Sequence, residues 1–150
     1  MANNMYKLTI ELVPLTSCYN NVRSKVSQEE WDIIRKKCYK NANYKCEICG
    51  GVGNKWPVEC HEIWEYDDKK HIQKLVGFVA LCPSCHEVKH IGRAEKMGML
   101  RHAMQHLMAA NAINKSQVDK IVEDAFATWE ERSEHKWKVD VSYLDKFLGK

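Results

Sequence analysis

Apolar and polar residues alternate at both ends of the chain. Residues from Tyr6 to Val13 have the period-two pattern of a half-buried strand, and Pro14 ends it. The same alternation returns from Trp137 to Val141 and predicts a late strand. This second strand could pair with the first and close the domain.

Apolar residues at helical spacing occupy most of the remaining chain. Ser27 followed by Glu30 is the capping-box pattern that begins a helix. Two longer apolar stripes in the second half of the chain are typical of helices that pack on a core. The predicted helices are Gln28 to Asn41, Glu95 to Asn111, one that begins near Ser116, and Tyr143 to Leu148. Together with the strands they predict an α+β fold.

The composition is that of an ordinary globular protein. The chain has 150 residues, of which 45% are hydrophobic and 29% charged, so one domain spanning residues 1–150 is expected. The apolar run from Leu75 to Leu81 is too short to span a bilayer, and the N-terminus has no signal-peptide pattern. We therefore expect a cytoplasmic protein with no membrane partner.

Two Cys-x-x-Cys pairs are the most specific motif in the sequence. Four thiolates at this spacing suit one tetrahedral structural zinc, although two buried thiol pairs without metal are the alternative. The proposed ligands are Cys46, Cys49, Cys82 and Cys85. The total of seven cysteines is odd, which favours thiols over disulfides, and Cys18 and Cys38 are interpreted as buried thiols.

Histidines beside the second cysteine pair predict another metal site. On a helix beginning near Pro83, His86 and His90 are one turn apart and point the same way. His61, on a strand-like stretch between the cysteine pairs, would supply a third ligand. Three ligands leave open positions for substrate and water, which is the catalytic arrangement. The alternative is that the three side chains only pack or contact solvent.

A second pair of histidines also stands four residues apart. A helix would stack His102 and His106 on one face, so a further metal pair is conceivable. No cysteine or carboxylate cluster accompanies them in the sequence. The pattern therefore favours a solvated helix face.

Three segments stand out when they are read in order: Cys46 to Gly50, Val58 to Ile63 and Leu81 to His90. Together they resemble the HNH endonuclease family in its zinc-ribbon-bearing branch. The resemblance covers about Lys45 to Ile91, and the flanking residues look like those of phage and bacterial members. It implies a ββα-metal finger, a core from about residue 44 to 91, followed by a helical part from about 95 to 150. Family members cut or nick nucleic acid with one divalent ion, here Mg, Mn, Ni or Zn, beside a structural zinc.

Two positions differ from the family pattern. Aligning Val58 to Ile63 with the family's central strand makes His61 the metal ligand and places Glu62 where a general-base histidine normally stands. An unperturbed glutamate titrates near ~4.3 and can accept a proton at neutral pH. A register shifted by one residue would make His61 the base and Cys60 the ligand. The family's middle Asn falls near Gly77 and is missing.

Positive charge concentrates around the second cysteine pair. The formal net charge is +3, but Lys69 to Arg101 carries seven basic residues against two acidic ones. Lys89, Arg93 and Lys96 could position a phosphate backbone without reading its sequence, although a solvated lysine-rich face is the alternative. The sequence thus favours an HNH endonuclease acting on DNA. Its competitors are an inactive zinc-ribbon module that binds nucleic acid or protein, and a zinc-stabilised interaction protein unrelated to nucleic acid.

Overall fold

A small sheet and six α-helices make up the protein in a computed structural model, which describes residues 6–150. Two short 3-10 turns precede the first helix. The elements in chain order are α1 (Gln28–Asn41), β1 (Glu59–Asp67), β2 (Ile72–Leu81), α2 (Pro83–Lys89), α3 (Ile91–Lys96), α4 (Leu100–Asn111), α5 (Lys115–Arg132), β3 (Lys138–Asp140) and α6 (Tyr143–Leu148). The chain is therefore α+β, as the sequence predicted.

β1 and β2 form an antiparallel hairpin in which His61 lies opposite Val79. The Asp67 carboxylate accepts hydrogen bonds from two backbone N–H groups of the connecting turn, as short turns with Asp often do. β3 adds to the other side of β2 in parallel, so the strand order is β1-β2-β3. The late strand is confirmed, and β1 is left as an edge of the sheet.

The predicted N-terminal strand is wrong: Tyr6 to Val13 forms no regular strand in the described part of the chain. Some of its backbone N–H and carbonyl groups form hydrogen bonds with side chains of helices instead. The N–H of Leu8 donates to Asn111 Oδ1 over 2.9 Å, and Asn111 Nδ2 donates to the Leu8 carbonyl over 2.8 Å. Trp129 Nε1 donates to the Val13 carbonyl over 3.0 Å. The alternating pattern thus reflects packing on helices rather than strand pairing.

The helix predictions for α1 and α6 match the observed bounds. Ser27 and Glu30 form the expected capping box at the start of α1. The helix predicted from Glu95 to Asn111 is divided into α3 and α4, because Gly98 has a φ of +74° between them. α5 begins before Ser116, because Asn114 and Gln117 form its capping box.

The core lies between the hairpin and the helices that follow it. Leu81, Val88, Ile91 and Leu107 are fully buried and join β2, α2, α3 and α4 in one apolar cluster. Cys38 belongs to this cluster, as predicted, whereas Cys18 is exposed and its interpretation as a buried thiol is wrong. No helix within residues 6–150 combines the length and the apolar character needed to cross a membrane.

Candidate metal centres

The two cysteine pairs meet because the first lies in a turn before the hairpin and the second begins α2. The N–H of Cys46 donates to the Gly51 carbonyl, and the N–H of Gly50 donates back to the Cys46 carbonyl, both over 2.9 Å. A Cβ on Gly53 would lie 2.8 Å from the Pro83 ring, so this turn can approach the start of α2 only with glycine here. The turn thus packs against the first residue of α2.

The four sulfurs of Cys46, Cys49, Cys82 and Cys85 all lie within 4.8 Å of one another. A tetrahedral zinc with Zn–S bonds of about 2.3 Å separates its sulfurs by about 3.8 Å. The Sγ atoms of Cys49 and Cys82 are 3.6 Å apart, close to that distance. This four-cysteine cluster could hold a structural metal such as zinc, as the sequence predicted.

The local backbone favours a thiolate at Cys46. Burial raises the pKa of this thiol, but hydrogen bonds from the backbone N–H groups of Cys49, Cys82 and Ile48 outweigh it and bring the pKa to about 7. Burial raises the pKa of both Cys82 and Cys85. A metal must therefore displace protons from these two thiols, and its affinity will fall at low pH.

His61, His86 and His90 form a second cluster. One ring nitrogen from each lies within 4.8 Å of the other two. The Nε2 atoms of His86 and His90 are 3.0 Å apart, which matches two nitrogens bound to one ion at about 2.1 Å. The His61 ring centroid lies 5.2 Å from both other rings. Strand β1 and the C-terminal end of α2 therefore bring together the three histidines that the sequence singled out.

The environment keeps two of these imidazoles neutral. Burial, followed by the nearby His90, His86 and Lys89, lowers the pKa of His61 to about 2. Partial desolvation by surrounding protein atoms and the neighbouring His86 lower the pKa of His90 to about 4, although this residue is exposed at the surface. Neutral imidazole has a free lone pair, which is the form that binds a metal. The donor set of the cluster thus fits a divalent ion.

Glu59 holds the third histidine, His86, a role that was not predicted from the sequence. Its Oε2 atom is hydrogen-bonded to His86 Nδ1, and its Oε1 atom accepts from Trp56 Nε1 over 2.9 Å. When Nδ1 of His86 donates to this carboxylate, Nε2 of the same ring faces His90 and is the nitrogen available to a metal. The signal in the sequence was its spacing: Glu59 stands two residues before His61, on the same side of a strand.

Glu62 lies on the other side of β1 from His61, as adjacent residues of a strand do. Its two carboxylate oxygens accept from the backbone N–H of Val22 over 3.1 and 3.2 Å. Burial raises the pKa of Glu62 to about 7, although the Val22 hydrogen bond opposes the shift. Cys60 also lies away from the histidines, packed against the apolar core, so the alternative register that made it a ligand is not supported.

A cavity of about 1010 Å³ runs beside the histidine cluster. Its wall contains all three histidines, Glu62 and the basic side chains Arg23, Arg93 and Lys96, together with Glu11, Glu95 and Glu130. Arg93 and Lys96 are exposed, as a phosphate contact requires.

Lys89, the third predicted phosphate contact, is buried. Its Nζ atom donates to Thr9 Oγ1 over 3.0 Å and pairs with Glu11 Oε1 over 3.1 Å. This ammonium therefore holds the N-terminal segment against α2 and corrects the role assigned to Lys89 from the sequence.

His102 and His106 belong to no cluster of three or more potential metal ligands in the described chain. His102 Nδ1 is 2.7 Å from Glu87 Oε1, and His106 Nε2 is 3.1 Å from Cys85 Sγ. Burial lowers the pKa of His106, helped by His102. His102 is exposed, as expected of a solvated helix face, whereas His106 is half-buried, and both side chains contact α2.

Comparisons with known proteins identify no relative of this chain. The chain matches no protein-family model, and searches of the curated proteins and of the solved structures likewise return no match.

Proposed function

We propose that this protein is a metal-dependent endonuclease of the HNH type that hydrolyses or nicks phosphodiester bonds in DNA. The observation that carries the proposal is the convergence of His61, His86 and His90 on a hairpin strand and the helix after it. Two residues of the four-cysteine cluster lie at the start of that same helix. This succession of hairpin, helix and ligands supports the resemblance to a ββα-metal finger between residues 45 and 91.

The three histidines would hold the catalytic ion. When bound, a divalent ion such as Mg, Mn, Ni or Zn would polarise the scissile phosphate and offset charge at the leaving oxygen. His61 and His90 offer neutral nitrogens, and Glu59 fixes the ring of His86 with its Nε2 toward the same point. Three protein ligands leave room for a phosphate oxygen and water.

Glu62 is proposed as the group that takes a proton from the attacking water. Its pKa of about 7 is close to the value at which a general base works best near neutral pH. Glu62 is one of the residues that line the cavity containing the histidines, and its side chain extends from the face of β1 opposite His61. To act, it must exchange the Val22 N–H for water, since both oxygens accept from that group here.

Exposed cations on the cavity wall would contact the DNA backbone. Arg93 and Lys96 lie on α3, just after His90 in the chain. Arg23 lies in the segment that precedes α1. Contacts to phosphates position a duplex but do not read bases. We therefore expect DNA binding that weakens with salt and has little sequence preference.

A second candidate is a catalytically inactive module that binds nucleic acid or protein through the same surface. It is favoured by the engagement of Glu62 with Val22 and by glycine at position 77, where the family has Asn. Such a module would retain both clusters and the exposed cations. It would bind DNA, or a protein, and would cleave no phosphodiester.

The deciding experiment is incubation of purified protein with supercoiled plasmid in the presence of magnesium, manganese, nickel or zinc. We expect relaxed or linear plasmid with metal and unchanged plasmid with chelator. His86→Ala, prepared in parallel, controls for contaminating nucleases because it removes one ligand of the ion. If no ion supports cleavage while the plasmid is still retarded in a gel, the enzyme is rejected in favour of the binding module.

A further inference from the structure

The sulfurs of the four-cysteine cluster receive their hydrogen bonds from different kinds of donor. Backbone N–H groups reach three of them: Cys49 to Cys46 Sγ over 3.5 Å, Gly51 to Cys49 Sγ over 3.4 Å, and Cys85 to Cys82 Sγ over 3.4 Å. Within residues 6–150, no backbone N–H is hydrogen-bonded to Cys85 Sγ. Its partner is a side chain, His106 Nε2, at 3.1 Å.

We propose that His106 is a positioning residue of the zinc site, whose Nε2–H donates to the Cys85 thiolate when the four cysteines hold zinc. The proposal rests on zinc binding in the four-cysteine cluster and is independent of DNA cleavage. Four thiolates around one Zn²⁺ carry a net charge of about −2, so each sulfur benefits from a donor. His106 would give Cys85 Sγ the hydrogen bond that backbone N–H groups give to the other three sulfurs.

The fold holds His106 in place for this contact. It lies on α4 beside the buried residues Ala103 and Leu107, and its own side chain is half-buried. One turn earlier on α4, His102 pairs with Glu87 of α2. Two side chains of α4 therefore reach α2 at neighbouring positions, and only the one at position 106 touches a cysteine.

The contact between His106 and Cys85 also joins α4 to the part of α2 that carries His86 of the histidine cluster. Cys85 directly precedes His86 on α2, so the orientation of this first turn affects both clusters. Groups that donate to or orient the ligands of a metal typically change its affinity by about 10–100-fold when they are removed.

The test is zinc affinity, measured by competition with a chromophoric chelator for the full chain and three variants. We expect His106→Ala to bind zinc about tenfold or more weakly than wild type. His106→Gln, whose side-chain amide can donate from a similar position, should recover most of the loss. His102→Ala is the matched control on the same helix and should bind zinc as wild type does.

Equal zinc affinity for wild type and His106→Ala would overturn the proposal. So would a His106→Gln variant as weak as His106→Ala, because packing rather than a hydrogen bond would then explain the loss. If His106→Ala does not fold with zinc, His106→Phe replaces it, since it keeps a ring without the donor. A cobalt-substituted wild-type protein should have the charge-transfer spectrum of four thiolates. A spectrum of three thiolates and one nitrogen would make His106 a ligand and reject the positioning role.

Discussion

Glu59 and His86 are joined by a hydrogen bond between Oε2 of the strand residue and Nδ1 of the helix residue. This contact determines which nitrogen of His86 faces His61 and His90. A carboxylate behind a metal-binding histidine fixes the ring and raises its basicity. Glu59 thus connects β1 to α2 at the point where the proposed catalytic ion would bind.

We expect Glu59→Gln to weaken divalent-metal binding at the histidine cluster by about 10–100-fold, because the amide can no longer hold the Nδ1 proton as a carboxylate does. The measurement is calorimetric titration of manganese or nickel into protein whose four-cysteine cluster is loaded with zinc. Glu65→Gln, an exposed residue of the same strand, is the control. Unchanged affinity in Glu59→Gln would remove Glu59 from the metal site.

Replacing any of the three clustered histidines should separate the two metal sites. His61→Ala, His86→Ala and His90→Ala should each lose the second ion and retain one zinc per chain, since sulfur and imidazole sites select different ions. Elemental analysis after exposure to both metals measures this. The control is His135→Ala, a histidine that stacks on His71 elsewhere in the protein. Loss of zinc from all three variants would show that the two metal sites are not independent.

Cys82→Ser tests whether the fold depends on zinc. Cys82 is the N-cap of α2, and serine caps helices well, so the variant removes a zinc ligand while preserving the cap. We expect a Tm lower by about 10 °C or more. A structural zinc contributes several kcal/mol to the free energy of unfolding, and each kcal/mol shifts Tm by about 2–4 °C in a protein of this size. Wild type in chelator should melt like the variant.

The exposed Cys18 supplies the control for that experiment. Cys18→Ser should bind one zinc and melt within a degree or so of wild type, because an exposed thiol contributes little to stability. A zinc-free protein that folds fully would show that the four cysteines are only a packed thiol cluster.

Glu62→Gln is a sharp test of the proposed base. Glutamine can still accept the Val22 N–H through its amide oxygen, so the fold should persist, but it cannot take a proton from water. We expect unchanged metal and DNA binding with cleavage slowed by roughly a hundredfold or more. Equal cleavage rates would exclude Glu62 as the base and direct attention to Glu59 and His61.

The same substitution should change the pH dependence of stability. The pKa of Glu62 is raised from 4.5 to about 7, so the folded protein binds a proton more readily than the unfolded chain between these values. Stability from this group is therefore present at low pH and declines as pH rises through about 7. His61 and His90 act oppositely, because their lowered pKa values reduce stability as pH falls below 6.5.

Comparison of wild type with Glu62→Gln isolates the glutamate from the histidines. Urea unfolding of metal-free protein between pH 4.5 and 8 should show the wild type losing stability relative to the variant as pH rises. A constant difference across this range would mean that Glu62 titrates normally in the folded protein.

DNA contacts can be tested apart from cleavage. We expect Arg93→Glu to weaken plasmid binding severalfold at low salt and to flatten its salt dependence, because one phosphate contact is lost and a repulsion is added. Lys89→Glu is unsuitable for this purpose, since it would break the buried pair with Glu11. Lys120→Glu, an exposed lysine on α5, is the control. Identical salt slopes for Arg93→Glu and wild type would place the DNA elsewhere.

Local signals in the sequence were sufficient for several elements. The capping box at Ser27 determines where α1 begins, and proline after Cys82 begins α2, because both act through neighbouring backbone groups. The spacing of the four cysteines and of His86 and His90 likewise depends on local helix and turn geometry. These are the features for which the sequence prediction and the structure agree.

What the sequence could not decide depended on contacts between distant segments. The stretch from Tyr6 to Val13 alternates like a strand, yet Asn111 takes the place of a partner strand. The buried pair of Lys89 and Glu11 and the contact of His106 with Cys85 join residues far apart in the chain. A local sequence pattern predicts the periodicity and the caps of an element. The hydrogen-bond partner of a polar group depends instead on how the elements pack against one another. The spacing of cysteines and histidines along the chain was therefore enough to identify side chains that could bind metal, whereas the groups that hold them in place follow from packing between distant elements.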